Sequence, residues 1–395
     1  MFFPKLEEVK EIARNEEYKR VPISMELFSD IATPIEVMRI LKNISRHCYM
    51  LESVEDSKQW GRYSFLGYNP ILEFTCLDNV ITIKNIESNQ KEVFETDNPR
   101  EIINNLINEN KSPKISRLPT FTGGFVGYFS YDYIKYTEPS LKLDAENKDQ
   151  FKDIDLMLFD KVIAFDNFKQ KIVLIVNMKT DNIEENYKKA TQELAEMEKL
   201  IKNGQDANIQ PLKIKSEFKP LFSRENYCNM VNKAKSYIKE GDIFQVVLSN
   251  RIEAEISGSI FDTYRVLRTT NPSPYMFYFS SEDIEIAGAS PETLVKLDDK
   301  KLYTFPLAGT RPRGSTEQID LNLEKELLSD EKELAEHNML VDLGRNDIGR
   351  IAQLGSVSVD KYLSIERFSH VMHIGSTVTG TLKEDLDSLA AIDSI

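Results

Sequence analysis

DEKELAEHNMLVD, residues 330–342, is the stretch of sequence that decides the fold. Its pattern predicts a helix. Asp330 is suited to the N-cap, since Glu333 follows three residues later as in a capping box. An apolar stripe that is expected to pack inward is formed by Leu334, Ala335, Met339 and Val341.

The same helix carries a candidate metal site. Glu333, Glu336 and His337 are spaced i, i+3 and i+4, so their side chains crowd one patch of the helix surface. Two carboxylates held this close repel each other unless a cation lies between them, and Mg²⁺ prefers hard oxygen ligands. Spacing alone leaves two interpretations open: a Mg²⁺ site, or a solvated glutamate face.

Composition limits the classes of function. The 395 residues can hold one large domain or two ordinary ones, and 41% hydrophobic with 29% charged residues is usual for a globular protein. The net charge of −14 argues against binding to nucleic acid or to an anionic membrane surface. It remains compatible with a small anionic ligand if a few Arg, Lys or Mg²⁺ gather locally.

Cysteines and apolar runs predict a soluble cytoplasmic protein. Cys48, Cys76 and Cys228 lie far apart and lack metal-ligand spacing, which suits a reducing compartment. The charged N-terminus lacks the apolar core of a signal peptide. No apolar run approaches the roughly 18 residues of a membrane span.

A polar linker is expected in the middle of the chain. Residues 182–203 carry apolar residues at alternating spacings of three and four, which predicts a docked helix that Gly204 ends. The stretch 205–221 is polar and without periodicity. We therefore expect a first domain at 1–204, a linker at 205–221 and a second domain at 222–395.

Three further stretches predict backbone-dominated structure. The Gly-rich residues 122–129 lack the Lys-Ser/Thr of a phosphate loop and instead favour tight backbone packing. Residues 242–249 are expected to form a strand in which Gln245 is the only polar residue inside an apolar run. The helix after the linker is expected to begin at Ser223 and end at Gly241.

Two predicted strand ends expose small residues, Gly288-Ala289-Ser290 and Ala308-Gly309-Thr310. Glycine lets a ligand approach main-chain N–H groups, which bind carboxylates, and Arg311 and Arg313 would add bidentate capacity. Ordinary turns are the alternative. Glu292, just beyond the first end, is either a general acid in a partly desolvated pocket or an exposed loop residue.

The two C-terminal histidines are expected to differ in role. Residues 368–379 predict a strand, whose alternation places His370 with Met372 and Ile374 on an apolar face. His370 is therefore expected in the core. His373 falls on a face of small groups with room for a ligand, and both a catalytic and a structural role stay open.

Taken together, these motifs resemble the chorismate-utilising enzymes, and within them the anthranilate synthase component I branch. The resemblance covers nearly the whole chain. The stretches that carry it are LES at 51–53, GRYSFLG at 61–67, GDIFQ at 241–245, NPSPYM at 271–276, ASPE at 289–292, PLAGTRPRG at 306–314, the helix with its continuation to Asp347, and HVMH at 370–373.

The resemblance implies an α/β (α+β) fold of packed, largely antiparallel sheets flanked by helices, and conversion of chorismate and ammonia to anthranilate and pyruvate. It implies that Glu336 is a Mg²⁺ ligand with Glu333 close behind it, and that His337 is structural. Glu292 is implied as the acid that helps the ring hydroxyl leave, and His373 as the histidine near the ring. The implied substrate contacts are Gly309, Thr310, Ala289 and Ser290.

The resemblance also implies partners and regulation. A separate glutamine amidotransferase subunit would supply ammonia, a scheme that Gln245 fits because water-adding relatives carry a lysine base there. Ala308 favours the anthranilate branch, since aminodeoxychorismate synthases, the runner-up, typically have lysine. Four residues are implied to contact inhibitory L-tryptophan: Ser53, Pro274, Tyr275 and Met276.

The chain departs from the family pattern at its C-terminus. Family members continue beyond the equivalent of 389–391 into a stretch with a second metal-binding glutamate and an arginine for a chorismate carboxylate. This chain ends at Ile395. We expect a fragment or frame-shifted product with an incomplete C-terminal part and impaired activity; a non-catalytic tryptophan-binding or subunit-docking remnant is the alternative outside the enzymes.

Overall fold

The computed structural model describes residues 1–53, 61–143 and 145–395. By their internal contacts these residues form two compact units. The first comprises Met1–Ala207 and Leu267–Ile395, and the second comprises Asn208–Val266.

The first unit begins with strands that alternate with short helices. These elements are β1 (Phe2–Phe3), α1 (Leu6–Ile12), β2 (Arg20–Phe28), α2 (Pro34–Ile44), β3 (Cys48–Glu52), β4 (Tyr63–Tyr68), β5 (Leu72–Leu77), β6 (Val80–Asn85), β7 (Lys91–Glu95), α3 (Pro99–Asn108), β8 (Gly124–Phe129), α4 (Ile134–Thr137), β9 (Ile154–Phe159), β10 (Lys161–Asp166), β11 (Lys171–Lys179) and α5 (Ile183–Asn203). Helix α5 docks through the predicted face, because Ala190, Leu194, Met197 and Ile201 are all buried.

The second unit contains short strand pairs and one long helix. Its elements are β12 (Lys213–Ile214), β13 (Lys219–Pro220), α6 (Arg224–Glu240), β14 (Ile252–Glu253) and β15 (Ile256–Ser257), and α7 (Phe261–Thr270) follows across the boundary. As predicted, the Ser223 side chain caps α6 and Gly241, at a φ of 86°, ends it.

The prediction of a strand at 242–249 is wrong. These residues have no regular structure, and the side chains of Phe244 and Val247 are 88% and 87% exposed. An apolar run forms a strand only where a neighbouring strand takes its backbone hydrogen bonds, and no strand of the described chain pairs with this stretch.

The first unit resumes with the elements that carry most of the candidate site residues. They are β16 (Tyr275–Ser280), β17 (Glu285–Ser290), β18 (Lys296–Asp298), β19 (Lys301–Thr304), β20 (Leu307–Pro312), α8 (Glu317–Ser329), α9 (Glu331–Ile351), β21 (Ser358–Arg367), β22 (Val371–Thr381) and α10 (Ser388–Asp393).

The largest sheet joins the early and late parts of the chain. Its order is β1-β2-β11-β10-β4-β3-β16-β17, and β16 pairs with β3 so that Met276 faces Glu52. The contacts therefore group the chain differently from the division expected at 204 and 222, because strands of the expected second domain extend the sheet of the first. The ladders between the strands are antiparallel, which confirms the predicted fold class.

A second sheet has the order β7-β6-β5-β9-β8. The Gly-rich stretch contains its edge strand β8, in which a Cβ on Gly127 would lie 1.9 Å from the carbonyl oxygen of Asp155. Close backbone packing, as predicted, is therefore what requires glycine here.

The third sheet supports α9. Its order is β18-β19-β22-β20, with β21 also paired to β22. Val341 and Ile348 of α9 pack against Leu302 and Val378 of this sheet. The inward stripe of α9 is shifted from the prediction: Leu334, His337, Val341, Gly344 and Ile348 are buried or partly buried, and Ala335 is exposed.

No helix within the described ranges is long and apolar enough to cross a membrane.

Candidate functional site

Gly309 lies at an irregularity inside β20, where the pairing with β22 shifts between Ala308 and Arg311. The predicted strand end at 308–310 is therefore a bulge within a strand. Gly309 has a φ of 68°, a left-handed conformation that favours glycine. A Cβ on Gly309 would lie 3.0 Å from Leu327 Cδ1 and 3.2 Å from Glu333 Oε2, so α8 and α9 approach its backbone closely.

His373 is held by this bulge. Its Nδ1 lies 2.8 Å from the carbonyl oxygen of Gly309 and 3.1 Å from Oγ1 of Thr310. A carbonyl oxygen only accepts hydrogen bonds. Nδ1 therefore carries a hydrogen and donates a hydrogen bond to the carbonyl oxygen of Gly309. In the neutral ring this leaves the lone pair on Nε2, where a ligand proton could be accepted.

His370 does not lie in the core. It is exposed in the turn that precedes β22, with its Nδ1 2.9 Å from the hydroxyl of Ser369. The strand begins only at Val371, three residues after the start of the predicted strand. Met372, Ile374 and Val378 are buried on one face, as the alternation predicts.

The N-terminus of α9 is fixed by Asp330. Its Oδ1 accepts hydrogen bonds from the backbone N–H groups of Lys332 (3.1 Å) and Glu333 (3.3 Å), which confirms the predicted N-cap. The bond from Glu333 N–H and the contact with Arg311 lower the pKa of Asp330. The first turn of α9, including Glu333, is thus anchored next to β20.

The two arginines after the bulge are engaged in ion pairs. Arg311 binds Glu326 (2.9 Å) and Asp330 (3.0 Å), and Arg313 binds both carboxylate oxygens of Asp320. The Arg313 contact lowers the pKa of Asp320 to about 2. The bidentate capacity expected for a ligand is therefore used to tie β20 to α8 and α9.

His337 points into the protein. It is fully buried, and its Nε2 lies 2.7 Å from the hydroxyl of Ser376 on β22. Ser376 Oγ also accepts a hydrogen bond from the backbone N–H of Leu363. Burial lowers the pKa of His337. These contacts separate His337 from the Glu333 and Glu336 patch.

Glu333 and Glu336 are both half-buried on α9. No cluster of three or more His, Cys, Asp or Glu suited to a metal occurs in the described part of the chain. Mg²⁺, however, is commonly held by one or two carboxylates together with substrate oxygens and water. Two half-buried carboxylates one turn apart, one of them against the Gly309 backbone, fit that mode of binding.

Glu292 follows β17 and is exposed, which favours the loop alternative for the free chain. Its backbone N–H donates to Ser290 Oγ at 3.2 Å, and this turn orients it. Ser290 and Glu292 line a cavity of about 350 Å³ together with Pro306 and the α9 residues Leu340 and Gly344. The α9 residues of this cavity lie about two to three helical turns after Glu333.

The residues implied for tryptophan and for substrate occupy adjacent strands. Tyr275 pairs with Ser290 and Met276 pairs with Ala289 between β16 and β17. The Tyr275 hydroxyl also contacts that of Thr293, and Ser53 lies at the end of β3, the other neighbour of β16. Gln245 belongs to the second unit.

Sequence reasoning missed two residues of the sheet that carries His373. Glu366 of β21 is the register partner of His373. The carboxylate of Glu366 accepts a hydrogen bond from Ser364 Oγ at 3.0 Å. Ser376 was also missed, although its position three residues after His373 placed it on the buried face. The alternating polar residues of 364–366 were the available signal.

Comparisons with known proteins identify what the chain is similar to. The family described as chorismate binding enzyme matches residues 47–395. Anthranilate synthase component 1 of Acetivibrio thermocellus is 42% identical, with 100% of this chain and 80% of that protein covered. The same enzyme of Aquifex aeolicus (strain VF5) is 41% identical, with 97% and 78% covered.

Solved structures give the same result. The crystal structure of anthranilate synthase component I from Streptococcus pneumoniae TIGR4 matches with a TM-score of 0.70 and 34% identity, and it covers 93% of this chain and 78% of that one. The menaquinone-specific isochorismate synthase MenF from Escherichia coli, at 14% identity and a TM-score of 0.62, shares the fold.

Proposed function

The chain belongs to the chorismate-binding enzyme family, and from that premise we propose that it converts chorismate and ammonia to anthranilate and pyruvate. The observation that carries the proposal is the bond between the Gly309 carbonyl and His373 Nδ1, 2.8 Å long. It holds one imidazole tautomer beside a bulge that exposes backbone to a ligand.

Each side chain has a definable task in this reaction. Gly309 and Thr310 would contact chorismate through the bulge of β20, with Ala289 and Ser290 contributing from β17. His373 would present Nε2 to the ring and its enolpyruvyl group, since Nδ1 is occupied by Gly309. Glu292, which lines the cavity beside α9, would protonate the departing ring hydroxyl.

Glu336 and Glu333 would hold Mg²⁺, with Glu336 as the ligand and Glu333 close behind it. When bound, Mg²⁺ would neutralise a chorismate carboxylate and stabilise charge that develops on the ring. Asp330 and Arg311 support this task, because they fix the helix turn that carries Glu333.

The anthranilate branch is favoured over aminodeoxychorismate synthase. Ala308, where the runner-up typically carries lysine, is 8% exposed and pairs with Ile374. The similar relatives are named anthranilate synthase, from bacteria and from plants.

Product identity tests the proposal. The purified chain is incubated with chorismate, an ammonium salt and Mg²⁺, and anthranilate is followed by its fluorescence and by chromatography. We expect anthranilate and pyruvate in equal amounts, and none when ammonium is left out. Aminodeoxychorismate as the product would support the runner-up. Absence of both product and chorismate binding would contradict the proposal.

We also propose a glutamine amidotransferase subunit as the source of ammonia, because the similar anthranilate synthase proteins carry the designation component 1 or alpha subunit. A copurified or added amidotransferase subunit should allow glutamine to replace ammonium in the same assay. Glutamine that stays inert with that subunit present would contradict it.

L-Tryptophan is proposed as an inhibitor bound by Ser53, Pro274, Tyr275 and Met276. The pairing of Tyr275 with Ser290 supports this, since it links the proposed inhibitor contacts directly to the proposed substrate strand. Ser53→Phe should retain activity and lose inhibition. Unchanged inhibition would remove Ser53 from the site.

A further inference from the structure

Two cavities of the first unit meet at a charged pair of buried Arg20 and partly buried Asp160, away from the site described above. Their volumes are about 550 Å³ and 400 Å³, and Arg20, Asp160 and Asn177 line both of them. The residues lie at the start of β2, directly after β9 and on β11. The mechanism proposed above uses none of these groups.

Arg20 is buried, at 8% exposure, with donor capacity to spare. Its Nε donates to Asn110 Oδ1 at 2.7 Å and its Nη1 to the carbonyl oxygen of Asn177 at 2.9 Å. Nη2 makes no hydrogen bond with residues that the structure describes. A guanidinium held in a fixed orientation with a remaining N–H pair is suited to a carboxylate.

Asp160 complements it as an acceptor. Its Oδ2 lies 3.7 Å from Arg20 Nη1. Its Oδ1 is shielded from solvent and receives no hydrogen bond within the described ranges. A buried carboxylate oxygen without a donor costs free energy, so a ligand ammonium would stabilise this arrangement.

The smaller cavity provides apolar walls for the rest of a ligand. Phe121, Phe125 and Phe159 line it beside Gly123 and Gly124. The two glycines have φ values of 148° and 135°, and a Cβ on Gly123 would lie 2.5 Å from Asn177 Nδ2. A side chain at Gly123 would therefore displace the amide that borders the charged pair.

We propose that this double cavity binds an α-amino acid with an apolar side chain. The ligand carboxylate binds Arg20, the ammonium binds Asp160, and the side chain enters the phenylalanine-lined cavity. The site is distinct from the proposed tryptophan contacts. Strands β2 and β3 are four positions apart in their sheet, a separation of about 19 Å at the usual strand spacing.

Calorimetry on the full chain with L-phenylalanine as the probe tests the proposal. The comparison ligands are 3-phenylpropionate, which lacks the ammonium, and 2-phenylethylamine, which lacks the carboxylate. We expect L-phenylalanine to bind at least about tenfold more tightly than either, since each analogue leaves Arg20 or Asp160 without its ligand partner. Absence of binding at millimolar L-phenylalanine, or equal binding of all three ligands, would overturn the proposal.

Asp160→Asn assigns the ligand to this cavity. The substitution keeps the shape of the side chain and removes the charge, so L-phenylalanine should bind about tenfold more weakly while 3-phenylpropionate does not. If Asp160→Asn does not fold, it loses both L-phenylalanine and 3-phenylpropionate. The comparison of the three ligands on the wild-type chain then tests the proposal. Asp181→Asn is the matched control, because Asp181 acts on Arg20 only through charge and does not line the cavities. Loss of L-phenylalanine binding in Ser53→Phe would move the ligand to the other site and refute the assignment.

Discussion

The two faces of β22 use histidine in opposite ways. On one face His373 is half-buried and donates from Nδ1 to the Gly309 carbonyl, which leaves Nε2 for a ligand. On the other, Ser376 binds the fully buried His337 of α9 through Nε2. The Nδ1 of His337 is shielded from solvent and has no hydrogen-bond partner in the described part of the chain.

The difference lies in which nitrogen stays reachable. An imidazole that exchanges protons with a ligand needs one ring nitrogen fixed and the other open. His373 meets this requirement, since a backbone carbonyl fixes its tautomer. His337 does not, because both of its nitrogens are enclosed. We therefore infer that one face of β22 serves chemistry and that the other joins the sheet to α9.

His373→Gln tests the first half of this comparison and should have the largest effect. Glutamine keeps a polar side chain but cannot accept and release a proton, so kcat should fall by roughly 10²–10⁴-fold, the usual contribution of a general acid or base. The KM for chorismate and the unfolding midpoint should change little.

The matched control is His370→Gln, which changes the exposed histidine three residues earlier. It should leave kcat within the error of the assay. Equal losses in both variants would show that the effect does not depend on the contact with Gly309.

Gly309→Ala tests the bulge that holds His373. Alanine at a φ of 68° costs about 1–2 kcal/mol, and its Cβ would press on Leu327 and on Glu333 Oε2. A shift of the carbonyl or of Glu333 should lower kcat by about tenfold to a hundredfold. Steady-state kinetics at saturating Mg²⁺ measures this.

Gly349→Ala serves as the control for that substitution. Gly349 lies on α9, where an added Cβ meets nothing within 4 Å. Alanine there should keep full activity and raise stability slightly, because it favours the helix. A kcat of Gly309→Ala as high as that of this control would mean that the left-handed glycine is not needed.

Ser376→Ala tests the structural face. It removes the acceptor and donor that satisfy His337 and the Leu363 N–H, so the free energy of unfolding should fall by about 1–3 kcal/mol. Urea unfolding measures the change. The kcat, measured at urea concentrations well below the unfolding midpoint, should stay near that of the wild type. Ser369→Ala, in the exposed turn, should lose almost nothing; an equal loss there would contradict the role of burial.

The sequence predicted what local chemistry decides. Asp330 caps α9 because its carboxylate reaches N–H groups two and three residues ahead. The docked face of α5 follows from apolar residues repeated at the helical period. The resemblance added the family and, through it, the fold. The sequence predicts Gly309, Thr310 and His373 as site residues, and the structure brings them into contact.

Contacts between residues far apart in the chain account for the features that the sequence does not predict. Residues 242–249 satisfy the composition of a strand, but no described strand pairs with them. The prediction that His370 lies in the core is wrong, because alternation cannot show where the β21–β22 turn ends. The ion pairs of Arg311 and Arg313 depend on where α8 packs, which their own neighbours in sequence do not reveal.

The pH dependence of stability offers the smallest and most specific test of the comparison. Burial holds the pKa of His337 below its ordinary value of 6.5. The unfolded chain therefore binds a proton at a higher pH than the folded one, and the stability that the neutral ring contributes is complete above 6.5 and is lost as the pH falls below that value. His337→Gln cannot take up this proton, so its urea midpoint should fall less than that of the wild type between pH 7 and 5, although its stability at pH 7 is lower. His370→Gln, which changes an exposed imidazole, should follow the wild-type curve. If His337→Gln and wild type lost stability in parallel, the enclosed histidine would titrate like an exposed one, and the contrast between the two faces of β22 would fail.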